Sequence, residues 1–187
     1  MKKKVITFLL AAFMMFSFAA CGDKKEEATS GTSASEDSIS VGAEVEKFIN
    51  VDLPSISSDR DKAVGLYNKY FKEAGSIDSE EWLRSLEYDA LVAFDSYLTK
   101  LNALEYTTPE VQSLKNTYLQ SAQYQRDAIQ DVVNAIKNDQ VELFTSAEEK
   151  IAQSETYFKT YEDSLKTICN NNNVQINGNV GTSTDAE

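Results

Sequence analysis

Histidine is absent from this 187-residue chain, and that absence removes several catalytic arrangements at once. Neither a Ser-His-Asp nor a Cys-His relay can be built without an imidazole. The Glu-x-x-His ligand pattern of di-iron bundles is excluded for the same reason. Two cysteines, Cys21 and Cys169, are too few for a zinc cluster or a disulfide framework. Two prolines and seven scattered glycines leave no glycine-rich loop to cradle a phosphate. No loop carries the alternating oxygen ligands of a calcium-binding hand. Acidic neighbours do occur, as Asp59/Asp61, Glu80/Glu81, Glu148/Glu149 and Glu162/Asp163. Adjacent residues on a helix diverge by about 100°, so these pairs read as solvated faces rather than converging sites. We therefore expect no catalytic residue, no metal and no cofactor, and a protein that is not an enzyme.

What is abundant points elsewhere. Low Gly and Pro with many Leu, Ala, Glu, Lys and Gln suits long helices. Thirty acidic residues against eighteen basic ones give a formal charge of −12. Such a surface repels phosphate polymers, so nucleic acid is not an expected partner.

The first twenty residues differ from the rest. Met1–Lys4 is basic, Val5–Phe16 is almost wholly apolar, and Ser17-Phe18-Ala19-Ala20 precedes Cys21-Gly22. A positive start, an apolar run and small residues make a secretory signal peptide cut after Ala20. The run is shorter than the roughly 20 residues that span a bilayer, which disfavours an uncleaved anchor. Phe18-Ala19-Ala20-Cys21 resembles the lipobox of bacterial lipoproteins, with Phe18 where that family usually carries Leu. The resemblance covers residues 1–22 and implies that the Cys21 thiol takes a diacylglyceryl group and becomes the new N-terminus. Two acyl chains make a stable membrane tether where one is readily reversible. An ordinary signal peptide followed by a chance cysteine is the bland alternative. Loss of the leader removes three lysines and no acid, so the mature charge becomes −15.

Residues 21–40 (CGDKKEEATSGTSASEDSIS) read as the lipidated N-terminus and a flexible, polar linker. Five helical stretches follow, in a domain spanning 41–169. Val41–Asn50 is a short amphipathic piece carrying Val45, Phe48 and Ile49, interrupted by Leu53-Pro54. Ser58 opens a helix of about 16 residues, with Asp59 and Asp61 in its first turn, Val64, Tyr67, Tyr70, Phe71 and Ala74 on one side, and Gly75 as its stop. Asp78 with Glu81 has capping-box spacing and starts a helix to about Glu105 through Leu83, Ala90, Phe94, Tyr97 and Leu101. Thr108-Pro109-Glu110 restarts the chain, and the next stripe runs Val111, Leu114, Tyr118, Ala122, Ile129, Val132, Ile136. Asn138-Asp139 breaks it, with Asp139 and Glu142 at capping spacing again.

In the last helix Phe144, Ile151, Phe158 and Leu165 stand seven apart, and Ala147, Ser154, Tyr161 and Ile168 follow each by three. That is a coiled-coil heptad. The tail, residues 170–187, reads as disordered. Short connections force neighbouring helices antiparallel. The expected fold is all-α: an up-down bundle of three to four helices, with the 59–74 helix covering one end and the 43–50 segment capping the rest of that groove.

Seven positions stand out as candidates beyond Cys21. Trp82, Tyr88, Tyr124 and Tyr157 fall off the apolar seams, either packing against short helices or forming a protein-binding patch. Cys169 reads as a small buried hydrophobe or else a reactive thiol. Gln125 and Ser154 interrupt apolar stripes, either to bond across the core and fix register or to line a polar pocket. The composite expectation is a lipid-anchored, extracytoplasmic, non-enzymatic bundle of the cell envelope. Its partners would be the membrane, through lipid on Cys21, and an envelope or host protein. A small-ligand-binding lipoprotein with its site between helices is the alternative.

Overall fold

The computed structural model describes residues 40–72 and 79–176. The leader, Cys21, the linker up to residue 39, Gly75 and Asp78, and the chain from residue 177 lie outside the described residues. Within them every regular element is helical.

The first rod is longer than expected. α1 (Val41–Lys47) runs through a π turn (Phe48–Asp52) into α2 (Leu53–Lys72). The interruption expected at Leu53-Pro54 does not occur. Instead the Leu53 N–H reaches back five residues to the Phe48 carbonyl, so the hydrogen-bond register has already shifted when Pro54 arrives. A proline, which cannot donate, is tolerated best where the ladder is already broken. Ser58 consequently lies inside α2 and does not open a helix. Ser40 caps the rod, its hydroxyl accepting from the Ala43 N–H at 3.2 Å.

The second rod has the same construction: α3 (Ser79–Ser85), a π turn (Leu86–Ala90) and α4 (Leu91–Asn102), three residues short of the expected end. α5 (Pro109–Asn138) follows the sequence reading closely. Asp139 does not act as the expected cap of the next helix. It adopts a left-handed backbone (φ 54°) that ends α5, and Val141 precedes α6 (Glu142–Asn172) with no side-chain cap. A two-helix reversal this tight needs one residue at positive φ, which Asp tolerates better than bulky residues.

Cross-rod pairs fix the order and direction. Asp59 meets Ser96 and Lys100, while Lys62 meets Asp89, so the first two rods are antiparallel. Asp95 pairs with Arg126 and Glu87 with Lys137, setting α5 against the second rod. Ser121 bonds Ser154 and Asp131 bonds Lys150, setting α6 against α5. The result is an antiparallel up-down bundle in which the first rod runs its full length as a fourth member. It is not the two separate short covers that Pro54 and Ser58 implied.

Val45, Phe48, Leu86, Phe94, Leu101, Val111, Ile129 and Leu165 are fully withdrawn from solvent. The last helix's heptad packs as expected through Tyr161 and Leu165, but Cys169 rather than Ile168 takes the final fully buried position. An α-helix drifts about 20° per heptad against a strict 3.5-residue repeat, and after three heptads the next residue has rotated inward. Beyond Asn173, also left-handed, Val174 and Ile176 pack on the core and the Gln175 carbonyl accepts from Asn50 Nδ2 at 3.0 Å. The expected disorder after residue 169 therefore does not hold as far as Ile176.

Candidate functional site

At the end where the chain enters the bundle, Gly42 lets α1 approach the last turn of α6. A Cβ there would stand 3.2 Å from Asn172 Cβ. Two residues on, Glu44 is only 4% exposed, although nothing in its sequence context distinguishes it from a solvated glutamate. Its carboxylate crosses to the loop before α5. Oε1 accepts from the Thr107 N–H at 2.6 Å and the Thr107 hydroxyl at 2.7 Å. Oε2 accepts from the Thr108 N–H at 2.8 Å and the Thr108 hydroxyl at 2.6 Å. Thr108 thus holds the N-cap position of α5, but its hydroxyl faces Glu44 instead of its own helix. Burial alone would push the Glu44 carboxyl up; the bonds from Thr108 and Thr107 outweigh it and hold it at about 2.

The same loop is tied a second time. The Tyr106 hydroxyl donates to Asp52 Oδ2 at 2.6 Å, and Lys47 Nζ bonds that oxygen at 2.9 Å. Burial and the Asp52 carboxylate both push the Tyr106 phenol up, so it stays a donor. The π turn therefore presents Asp52 to the loop from one side and Phe48 to the core from the other.

Phe48 opens an aromatic cluster. Its ring meets Tyr106 edge-on at 5.4 Å and Tyr118 and Tyr161 at 6.4 Å. Tyr118 lies 4.8 Å from Tyr161 and 6.2 Å from Phe158, and the Tyr97 and Tyr118 hydroxyls bond at 3.1 Å. Further along the core, Gln125 Oε1 accepts from Arg60 at 3.2 and 3.0 Å. The Ser121 hydroxyl donates to the Ser154 carbonyl at 2.9 Å. Asp131 accepts from Ser146 at 2.6 Å and Lys150 at 2.5 Å. Gln125 and Ser154 do bond across helices, which fixes register; neither is presented to a polar pocket by these contacts. Their partners Arg60 and Ser121, like Glu44, were not singled out in the sequence, because each pairing joins residues more than thirty positions apart.

The four flank aromatics separate. Trp82 packs against the core. Tyr88 is 64% exposed, with Val92 one turn further and 60% exposed. Only Tyr124 and Tyr157 come together, stacked across the α5–α6 seam with centroids 5.6 Å apart and planes 20° from parallel. Cys169 is a buried free thiol whose ionisation burial pushes up, consistent with a packing role. Among the described residues no group of three or more Cys, Asp or Glu converges to hold a metal. No described helix is long and apolar enough to cross a membrane.

The family described as EMYY-motif containing lipoprotein matches residues 1–179, and the chain belongs to it. In one-letter code EMYY reads Glu-Met-Tyr-Tyr, a tetrapeptide this chain lacks; its methionines are Met1, Met14 and Met15. No curated protein and no solved structure matches the chain. Membership makes the protein a lipoprotein, held at a membrane by lipid.

Proposed function

We propose that this lipoprotein is tethered through diacylglyceryl-Cys21 on the extracytoplasmic face and works there as a non-enzymatic protein-interaction module of the cell envelope. One observation carries the reading. The buried polar side chains Glu44, Ser121, Gln125, Asp131 and Ser154 all bond other helices or the loop before α5, while Tyr88 is left exposed and the stacked Tyr124/Tyr157 pair half-exposed at the α5–α6 seam. Groups arranged for chemistry are usually held ready for a ligand, whereas here they serve as bundle joints. Outward tyrosines are the residue type that anchors protein contacts.

The anchor is tested by Cys21→Ala. The variant should keep its leader or leave the membrane fraction, with a shifted apparent mass. If it stays in the membrane at unchanged mass, the lipid assignment is wrong. The interaction role is tested by photo-crosslinkers placed at Tyr88 and Tyr124 in cells, compared with one at the exposed Glu46. A discrete adduct from Tyr88 or Tyr124 and none from Glu46 supports it. Equal labelling at all three sites counts against it.

A further inference from the structure

The outward side of α5 is unlike any other long face of the bundle. Ser113, Asn116, Gln120, Gln123, Asp127 and Gln130 repeat at alternating three- and four-residue steps, with Gln112 beside the first; all but Asp127 and Gln130 are exposed. No charged residue occurs between Lys115 and Arg126. The one acid on the stripe, Asp127, is occupied by Gln123 at 3.1 Å and Arg126 at 3.6 Å. The other rods expose charge along their outer sides, for example Asp61 and Lys69, Arg84 and Asp89, and Asp163 and Lys166. Beside the stripe, across the seam, stand the Tyr124–Tyr157 stack and the exposed, uncharged Gln153, Thr156 and Thr160 of α6.

Resting on the interaction-module reading, we infer that this amide face is where a second copy of the same chain docks. Charge selects the face. A chain with a formal charge of −12 repels its own copies, and a side whose one carboxylate, Asp127, is already paired with Arg126 opposes the fewest like charges when two copies meet. Chemistry selects the partner. Each Gln or Asn side chain carries donors and an acceptor together, so a row of them is complementary to the same row turned about a two-fold axis. A cationic partner would favour the acidic faces instead. Depletion of charge with tyrosine and adaptable amides and hydroxyls is also the composition of a contact core.

The fold is compatible with this pairing on one membrane. A two-fold axis along the bundle sets the two α5 helices parallel and puts both Ser40 ends on the same side. From Ser113 to Gln130 the stripe is about 25 Å long at 1.5 Å per residue. With the α6 flank it offers on the order of 600 Å² a side, below a standard interface of about 800 Å² per partner. The contact is therefore weak in free solution and strengthened by confinement of lipid-tethered copies to a surface.

The test is disulfide trapping of the full-length, lipidated chain in its own membranes, in a Cys169→Ser background. Gln120→Cys should give a cross-linked species of twice the chain mass under mild oxidation, and Glu46→Cys should not. Adding Asn116→Glu and Gln123→Glu should cut that species at least ~10-fold, because like charges then face each other. Circular dichroism of the Glu variants should match the parent, separating lost pairing from lost folding. A Gln120→Cys adduct of another mass would overturn self-pairing while leaving the interaction reading intact. Cross-linking at Gln120 no greater than at Glu46, with no other adduct, overturns both.

Discussion

Replacing Glu44 by Gln should destabilise the bundle far more than the same change at Glu46, its exposed near neighbour. The carboxylate receives four donors from two consecutive residues at the start of α5. Gln keeps the shape and one acceptor oxygen but turns an NH₂ toward two of those donors. A hydrogen bond to a charged acceptor contributes about 1.5–3 kcal/mol. Bonds sharing one carboxylate do not add, and a lost helix cap costs about 1–2 kcal/mol by itself. The expected cost is about 2–3 kcal/mol, or about 5–10 °C in Tm for a domain of this size. Glu46→Gln should cost less than about 0.5 kcal/mol.

The pH dependence gives the sharper check. The carboxyl sits at about 2 in the fold against an ordinary value of 4.5. A folded value below the unfolded one means the stabilisation is complete above the unfolded value and drains away as pH falls through the folded value. Urea unfolding followed by circular dichroism should thus show a constant gap between the native chain and Glu44→Gln from pH 7 to about 5, closing between about 4.5 and 2. A gap under about 0.5 kcal/mol at pH 7, or one that persists unchanged at pH 2, would refute the clamp.

Three further outcomes follow from the packing. Gly65 lies inside α2 with nothing within 4 Å of where a Cβ would stand, so Gly65→Ala should stabilise by about 0.5–1 kcal/mol in the same urea assay. Phe158→Ala removes a ring packed against both Tyr118 and Tyr161 and should cost about 3–5 kcal/mol, with a Tm drop of roughly 10 °C or more. Cys169, buried with its thiol pushed up, should react with a thiol-specific disulfide reagent at least ~100-fold more slowly in the native chain than in urea. Equal rates would place Cys169 at an accessible surface.

The sequence by itself determined the helical class, the α5 boundaries and the buried stripes of α5 and α6. Those features follow from local periodicity, from Thr108-Pro109 at a helix start and from the heptad beginning at Phe144, all of which act within a few turns of chain. Family membership likewise agrees with what Phe18-Ala19-Ala20-Cys21 implied. Other features were decided only by the tertiary structure. Pro54 reads locally as a break, yet a π turn placed just before it lets Phe48 enter the aromatic cluster and keeps the first rod whole. Asp139 has capping spacing, yet the reversal into α6 needed its left-handed backbone instead. Glu44, Arg60 and Ser121 look solvated in sequence because their partners lie 63, 65 and 33 residues away, and no local pattern encodes a contact at that separation. Burial of a polar group depends on what the fold brings over it, and for Glu44 that is the loop that follows the C-terminal end of the second rod.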